Sequence, residues 1–110
     1  MSRHNDEWLV DIIEPIAAIR SQLQRGTLSD GLVFDAVRLC LIEIGEAVER
    51  ISAGVLADEP DIPWEDIAKM QNRLARRCLD TSHAIVQATV DRDLPAPEAG
   101  VERLHARGRT

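Results

Sequence analysis

Residues 62–80 constrain this chain more than any other stretch, because their pattern fits a helix and little else. Pro63 suits a first helical turn, where its missing N–H costs nothing, and Glu65 and Asp66 follow where the helix dipole favours negative charge. Ile67, Met70, Leu74 and Cys78 then recur at three- and four-residue spacing, which draws one apolar stripe down a helix. Asn72, Arg73 and Arg76 fall on the opposite side, with Arg77 at its margin. Three arginines within five residues, with no acid between them, reverse the local charge of a chain whose net charge is −6. Phosphate recognition, if the chain has any, is expected here.

The rest of the chain reads in the same period. Asn5 or Asp6 is placed to cap a first helix that runs to about Gln24, with Trp8, Leu9, Ile12, Ile13, Ile16, Ile19 and Leu23 as its stripe and Gly26 as a terminator. Pro15 inside it predicts a kink, or a split at Glu14. Ser29 or Asp30 opens a second helix to about Ser52, with Val33, Ala36, Val37, Cys40, Ile44, Val48 and Ile51 on one face. Leu32, Leu39 and Ile42 fall outside that face, so the second helix is either central and nearly surrounded or a seam between two copies. An acidic connection, residues 55–62, leads into the third helix, which is expected to end near Asp80. Thr81 or Ser82 caps a fourth, striped by Ile85, Val86, Thr89 and Val90 and stopped before Pro95. A short helix from about Pro97 to Leu104 and a frayed tail, residues 105–110, complete the expectation.

Hydrophobic residues make up 45% of the chain, which excludes disorder for most of it, and aromatics only 3%, with no tyrosine, which disfavours a sandwich or barrel. The expected fold is all-α, an antiparallel four-helix bundle with a short additional C-terminal helix. Its 110 residues suffice for one domain with one core. The acidic balance argues against broad coating of nucleic acid but permits a local basic groove, since screening limits the reach of distant acids to about 8–10 Å. Cys40 and Cys78 both sit on apolar stripes and read as buried thiols of a reducing compartment, lacking the partners of a disulfide or zinc site. No metal or cofactor is expected. Asp11 and Glu14 interrupt the N-terminal apolar run, which is therefore neither a signal peptide nor a membrane span, and a cytoplasmic location follows.

The stretch Pro63-Trp64, the run Met70-x-Asn72-Arg73-Leu74 and then Leu79-Asp80 resemble the HepT branch of the HEPN superfamily. Ile42 through Ala47, Ile85-Val86 and Asp93-Leu94-Pro95 extend the resemblance over most of the chain. It implies a small helical ribonuclease toxin, active as a homodimer, paired with a minimal nucleotidyltransferase antitoxin of the MntA type. It also implies a metal-independent site in which Arg-Asn-x-x-x-His-x-Tyr motifs of two subunits meet, histidine moving the proton and cationic donors stabilising the phosphorane.

This chain departs from that motif. Aligned on Asn72, it has Gln71 in place of the arginine, Arg76 in place of the histidine and Cys78 in place of the tyrosine. Guanidinium stays protonated near neutrality, so Arg76 is no general base. Arg73 and Arg77 are candidate contacts to RNA phosphates, or else part of a solvated face. Glu43 and Glu46 are candidates to orient the site by pairing with Arg73 or Arg76 across the bundle. Arg77 and His83 satisfy the looser superfamily spacing, but a lone histidine at a helix start is more often a surface or capping residue. His4 and His105 fall in the terminal stretches. Trp64 reads as an anchor for the third helix, with base stacking as the lesser alternative.

Overall fold

The structure is a computed structural model that describes residues 5–76 and 79–108, with side chains described throughout except at 5, 6, 70–72, 75, 76, 79–82, 93 and 108. It is all-helical, and no strand occurs among the described residues. The helices are α1 (Asn5–Arg25), α2 (Gly31–Arg50), a short α3 (Ala53–Leu56), α4 (Trp64–Arg76), α5 (Leu79–Ala88), a π turn (Thr89–Asp93) and α6 (Pro95–Gly108).

Helix α1 runs unbroken through Pro15, so the expected split at Glu14 does not occur. Pro15 cannot donate to the carbonyl one turn earlier. The flanking Ile12, Ile16 and Ile19 are nevertheless wholly or almost wholly buried, where α1 packs along α2 and against α6. That burial, about 1.5–3 kcal/mol per large side chain, outweighs one missing backbone bond. Gly26 closes α1 by donating to the Gln22 carbonyl (3.2 Å) without a positive φ, so the left-handed cap open to glycine is not used. Asp30 caps α2 as expected, its Oδ1 accepting from the Leu32 N–H at 2.9 Å and the Val33 N–H at 3.5 Å.

Helix α2 is the central element, packed along α1 and α4 and touching α5. Val33, Phe34, Val37, Leu41, Ile44, Ala47 and Val48 are buried along it. It is not surrounded, however. Leu32 is 83% and Leu39 56% exposed, the only large apolar side chains so open among the described residues.

The acidic connection is more structured than its sequence suggests. Its start lies in α3, and within it Glu59 is buried and grips α6. Its Oε1 accepts from Arg103 Nη2 (2.5 Å) and Nε (3.1 Å), and its Oε2 from Arg107 Nη2 (3.0 Å). These bonds hold the carboxyl below the usual glutamate range, chiefly through the hydrogen bonds from Arg103 and with help from the charge of both arginines. The same contact lengthens α6, which continues to Gly108 rather than ending at Leu104 and places His105, half-buried, inside a helix. At its other end α6 begins at Pro95, two residues earlier than expected, and Arg20 ties it to α1 through Glu98 at 2.9 Å.

Between α5 and α6 the chain makes a π turn instead of a plain helix end, closed by the Leu94 N–H on the Thr89 carbonyl at 2.9 Å. Val86, Val90 and Leu94, each four residues apart, are all buried. A regular α-helix would rotate the third away from the first; the wider π turn underwinds the chain and keeps all three inward.

Candidate functional site

Helix α4 carries most of the motif positions, and its placement starts from its N-terminus. The Pro63 carbonyl accepts the first helical bond, from the Ile67 N–H (3.1 Å), so proline costs no donor there. Glu65 and Asp66 occupy the first turn, and Lys69 pairs with Glu65 at 3.1 Å. The indole N–H of Trp64 is shared between the carbonyls of Leu56 (3.1 Å) and Glu59 (3.0 Å). Trp64 is thus the anchor the sequence suggested, its polar edge committed to the connection that also grips α6. Base stacking is not needed to explain it.

Leu74 is fully buried and pins the C-terminal half of α4 against α2. Arg73, its neighbour, is exposed and takes part in no ion pair among the described residues. It lines a cavity of about 350 Å³ with Asp66, Ile67, Leu41, Ile85 and Thr89. Gln71, Asn72 and Arg76 lie in the backbone of α4, with side chains outside the described residues. Arg77 and Cys78 lie outside the described residues altogether.

Glu43 and Glu46 do not meet Arg73. Both are exposed and line a groove of about 660 Å³ between α1 and α2, with Trp8, Asp11, Glu14 and Arg50. There Arg50 sits 5.4 Å from the Trp8 ring centroid and donates to the Glu46 carbonyl at 3.0 Å. Cys40, half-buried, lines the same groove, where burial and then the Glu43 charge push its thiol pKa up, away from a reactive thiolate.

His83 is neither a surface residue nor a cap. It is half-buried in α5, its Nε2 3.1 Å from the Leu28 carbonyl and its ring stacked on Phe34, with centroids 5.1 Å apart and planes 12° apart. One ring nitrogen and one ring face are therefore occupied in tying α5 to the α1–α2 turn and to α2.

Two residues escaped the sequence reading. Arg38 of α2 donates from Nη2 to the Leu74 carbonyl at 2.6 Å, in the last turn of α4. Its signal was an arginine between Phe34 and Leu41 on the inward side of α2. Glu59 gave no signal of its own, but Arg103 and Arg107, four apart on α6, mark a pair able to converge on one acid. Among the described residues no group of three or more His, Cys, Asp or Glu is placed to hold a metal ion.

The chain is thus an all-helical domain in which a braced helix, α4, carries an exposed arginine beside a buried leucine. It belongs to the HepT-like family, described as ribonuclease HepT-like, which matches residues 9–104 and so reaches from α1 into α6. A protein of Thermococcus cleftensis named probable ribonuclease HepT is 27% identical over 108 residues, covering 94% of this chain and 98% of its own length. No solved structure matches the chain significantly. The family expected from the sequence is therefore the one the chain belongs to.

Proposed function

We propose that this chain is the RNA-directed component of a HepT-type toxin–antitoxin pair, and that its motif is silenced for cleavage. The observation that carries the reading is the family match across residues 9–104, combined with Arg76 standing where the family's histidine would move the proton. An arginine at that position holds its proton at any physiological pH, so proton transfer from the 2′-hydroxyl lacks an acceptor. Gln71 donates hydrogen bonds without charge, and Cys78 lacks the phenolic oxygen that a nucleotidyltransferase partner would modify. Asn72 is the retained motif position, and Arg73 and Arg77 are the phosphate contacts. The working unit is a homodimer of antiparallel bundles in the cytoplasm, partnered by an MntA-type minimal nucleotidyltransferase. The family's site needs no metal.

The test is RNA cleavage with EDTA present, comparing the natural chain with a triple variant, Gln71→Arg, Arg76→His and Cys78→Tyr. Restoring one general acid–base group is expected to raise the rate by about 10²–10⁴-fold. Equal cleavage by both chains would contradict silencing. Silence from both, with the variant shown to be folded and dimeric, would contradict the RNA-directed reading.

A second reading is a non-catalytic dimeric scaffold that binds a nucleotidyltransferase or RNA without cutting. The departures at Gln71, Arg76 and Cys78 favour it, and in either reading the exposed Leu32 and Leu39 on α2 offer a face that a second copy would bury. Sedimentation of Leu39→Glu checks the face: a shift towards monomer supports it, and an unchanged dimer moves the seam elsewhere.

A further inference from the structure

The structure assigns Arg38 as a positioning residue for the motif: from α2 it holds the last turn of α4, and through that turn it sets the placement of the helix backbone that carries Asn72 and position 76. The inference rests on the RNA-directed reading above and adds a residue that the motif does not contain.

An arginine bonded to helix-end carbonyls is ordinary capping when it lies on the same helix or on the surface. Arg38 is neither. It comes from a different helix, is half-buried, and reaches the Leu74 carbonyl at 2.6 Å, a short charge-assisted bond. Among the described residues it enters no ion pair, so no carboxylate competes with that carbonyl for its guanidinium. Leu74 lies two residues after Asn72 and two before Arg76, so the bond falls between the retained motif position and the replaced one. Phe34, one turn earlier on α2, stacks on His83 of α5. Phe34 and Arg38 thus brace both sides of the α4–α5 junction from one face of one helix. The fully buried Leu74 fixes how deep α4 sits, and Arg38 ties its last turn to α2.

The experiment uses the full chain carrying Gln71→Arg, Arg76→His and Cys78→Tyr, with Arg38→Met or Arg38→Lys added, and measures cleavage of a single-stranded RNA with EDTA present. Positioning predicts that Arg38→Met lowers kcat by about 10–100-fold, the cost of a misplaced group. KM and the slope of log affinity against log salt are expected to stay as they were, and Arg38→Lys, which keeps a charged donor, to recover most of the rate. An unchanged kcat would overturn the assignment. So would a loss accompanied by a shallower salt slope, which would make Arg38 a phosphate contact.

Amide hydrogen exchange on the natural chain and its Arg38→Met variant gives an independent reading. Faster exchange confined to residues 72–82 supports the brace, whereas uniform or absent acceleration overturns it. If the triple variant cleaves nothing, the RNA-directed reading fails, and hydrogen exchange still decides for or against Arg38.

Discussion

Arg73 on α4 and the pair Arg103 and Arg107 on α6 are arginines put to opposite uses. On α6, Arg103 and Arg107 converge on the single buried carboxylate of Glu59, and the result is structural: the connection into α4 is clamped and α6 gains a turn. On α4, Arg73 has an ordinary surface position and no ion pair among the described residues. The difference lies in what faces each helix. A carboxylate brought to 10% side-chain exposure must be paired or it destabilises the fold, so the α6 arginines are committed. Among the described residues no buried carboxylate confronts Arg73. The same residue type is a fastener on one helix and, among the described residues, a cation without an ion pair on the other.

The comparison breaks most readily where α4 is seated. If its exposed arginine is to stay in place without ionic partners, the apolar side must hold the helix, and Leu74 is the described residue on that side with no exposure. Leu74→Ala is expected to cost about 2–5 kcal/mol in a denaturant melt. A loss under about 1 kcal/mol would mean that α4 is held by something other than this contact.

On the α6 side the equivalent probe is Gly100. A β-carbon there would collide with Ile62 Cδ1 and lie 3.6 Å from Glu59 Oε1, so the absence of a side chain lets α6 approach the connection that Glu59 clamps. Gly100→Val should cost about 1–3 kcal/mol through overpacking. A variant as stable as the natural chain would show that Ile62 yields freely and that the close approach contributes little.

The clamp itself has a pH signature. Because Arg103 and Arg107 lower the folded pKa of Glu59 below its unfolded value, about 4.3, its contribution is present above that value and is lost as pH falls through the folded one. Thermal melts of the natural chain and Glu59→Gln should therefore differ most at pH 7 and converge towards pH 3. A difference independent of pH would assign the effect to shape rather than charge.

Much of this was legible in the sequence, and the failures share a cause. The three- and four-residue period gave the long helices, Asp30 the start of α2 and Pro63 the start of α4, because each is a local property of a few adjacent residues. The unbroken passage of α1 through Pro15, the π turn at Thr89 and the extension of α6 to Gly108 were not legible. Each is decided by burial or pairing against a distant element, which overrides the local signal. The site shows the same split. Helix periodicity put Arg73 on an exposed side, as the structure has it, whereas Glu43 and Glu46, expected from the family-like stretch to pair with Arg73 or Arg76, line the groove against α1 and do not meet Arg73; the Arg76 side chain lies outside the described residues. Arg38 acts through a partner 36 residues away and the Glu59 carboxylate through partners 44 and 48 residues away, and no spacing rule reaches that far.

The smallest expected effect on stability is the most informative for function. Arg73 lines the cavity beside α4 but is exposed, unpaired among the described residues, and carries no described hydrogen bond. Arg73→Ala should therefore change stability by no more than about 0.5 kcal/mol, the range of a surface substitution. Arg103→Ala, which strips Glu59 of its main donor, should cost clearly more in the same melt. If Arg73 serves RNA, its removal weakens binding to single-stranded RNA of every sequence alike and reduces the salt slope by about 0.7, the value of one phosphate contact. Titrations at two or three salt concentrations measure both quantities. A neutral melt with an altered salt slope makes Arg73 a cation kept for a ligand. A neutral melt with an unchanged slope returns it to the solvated surface, and the contrast between α4 and α6 would then concern folding alone.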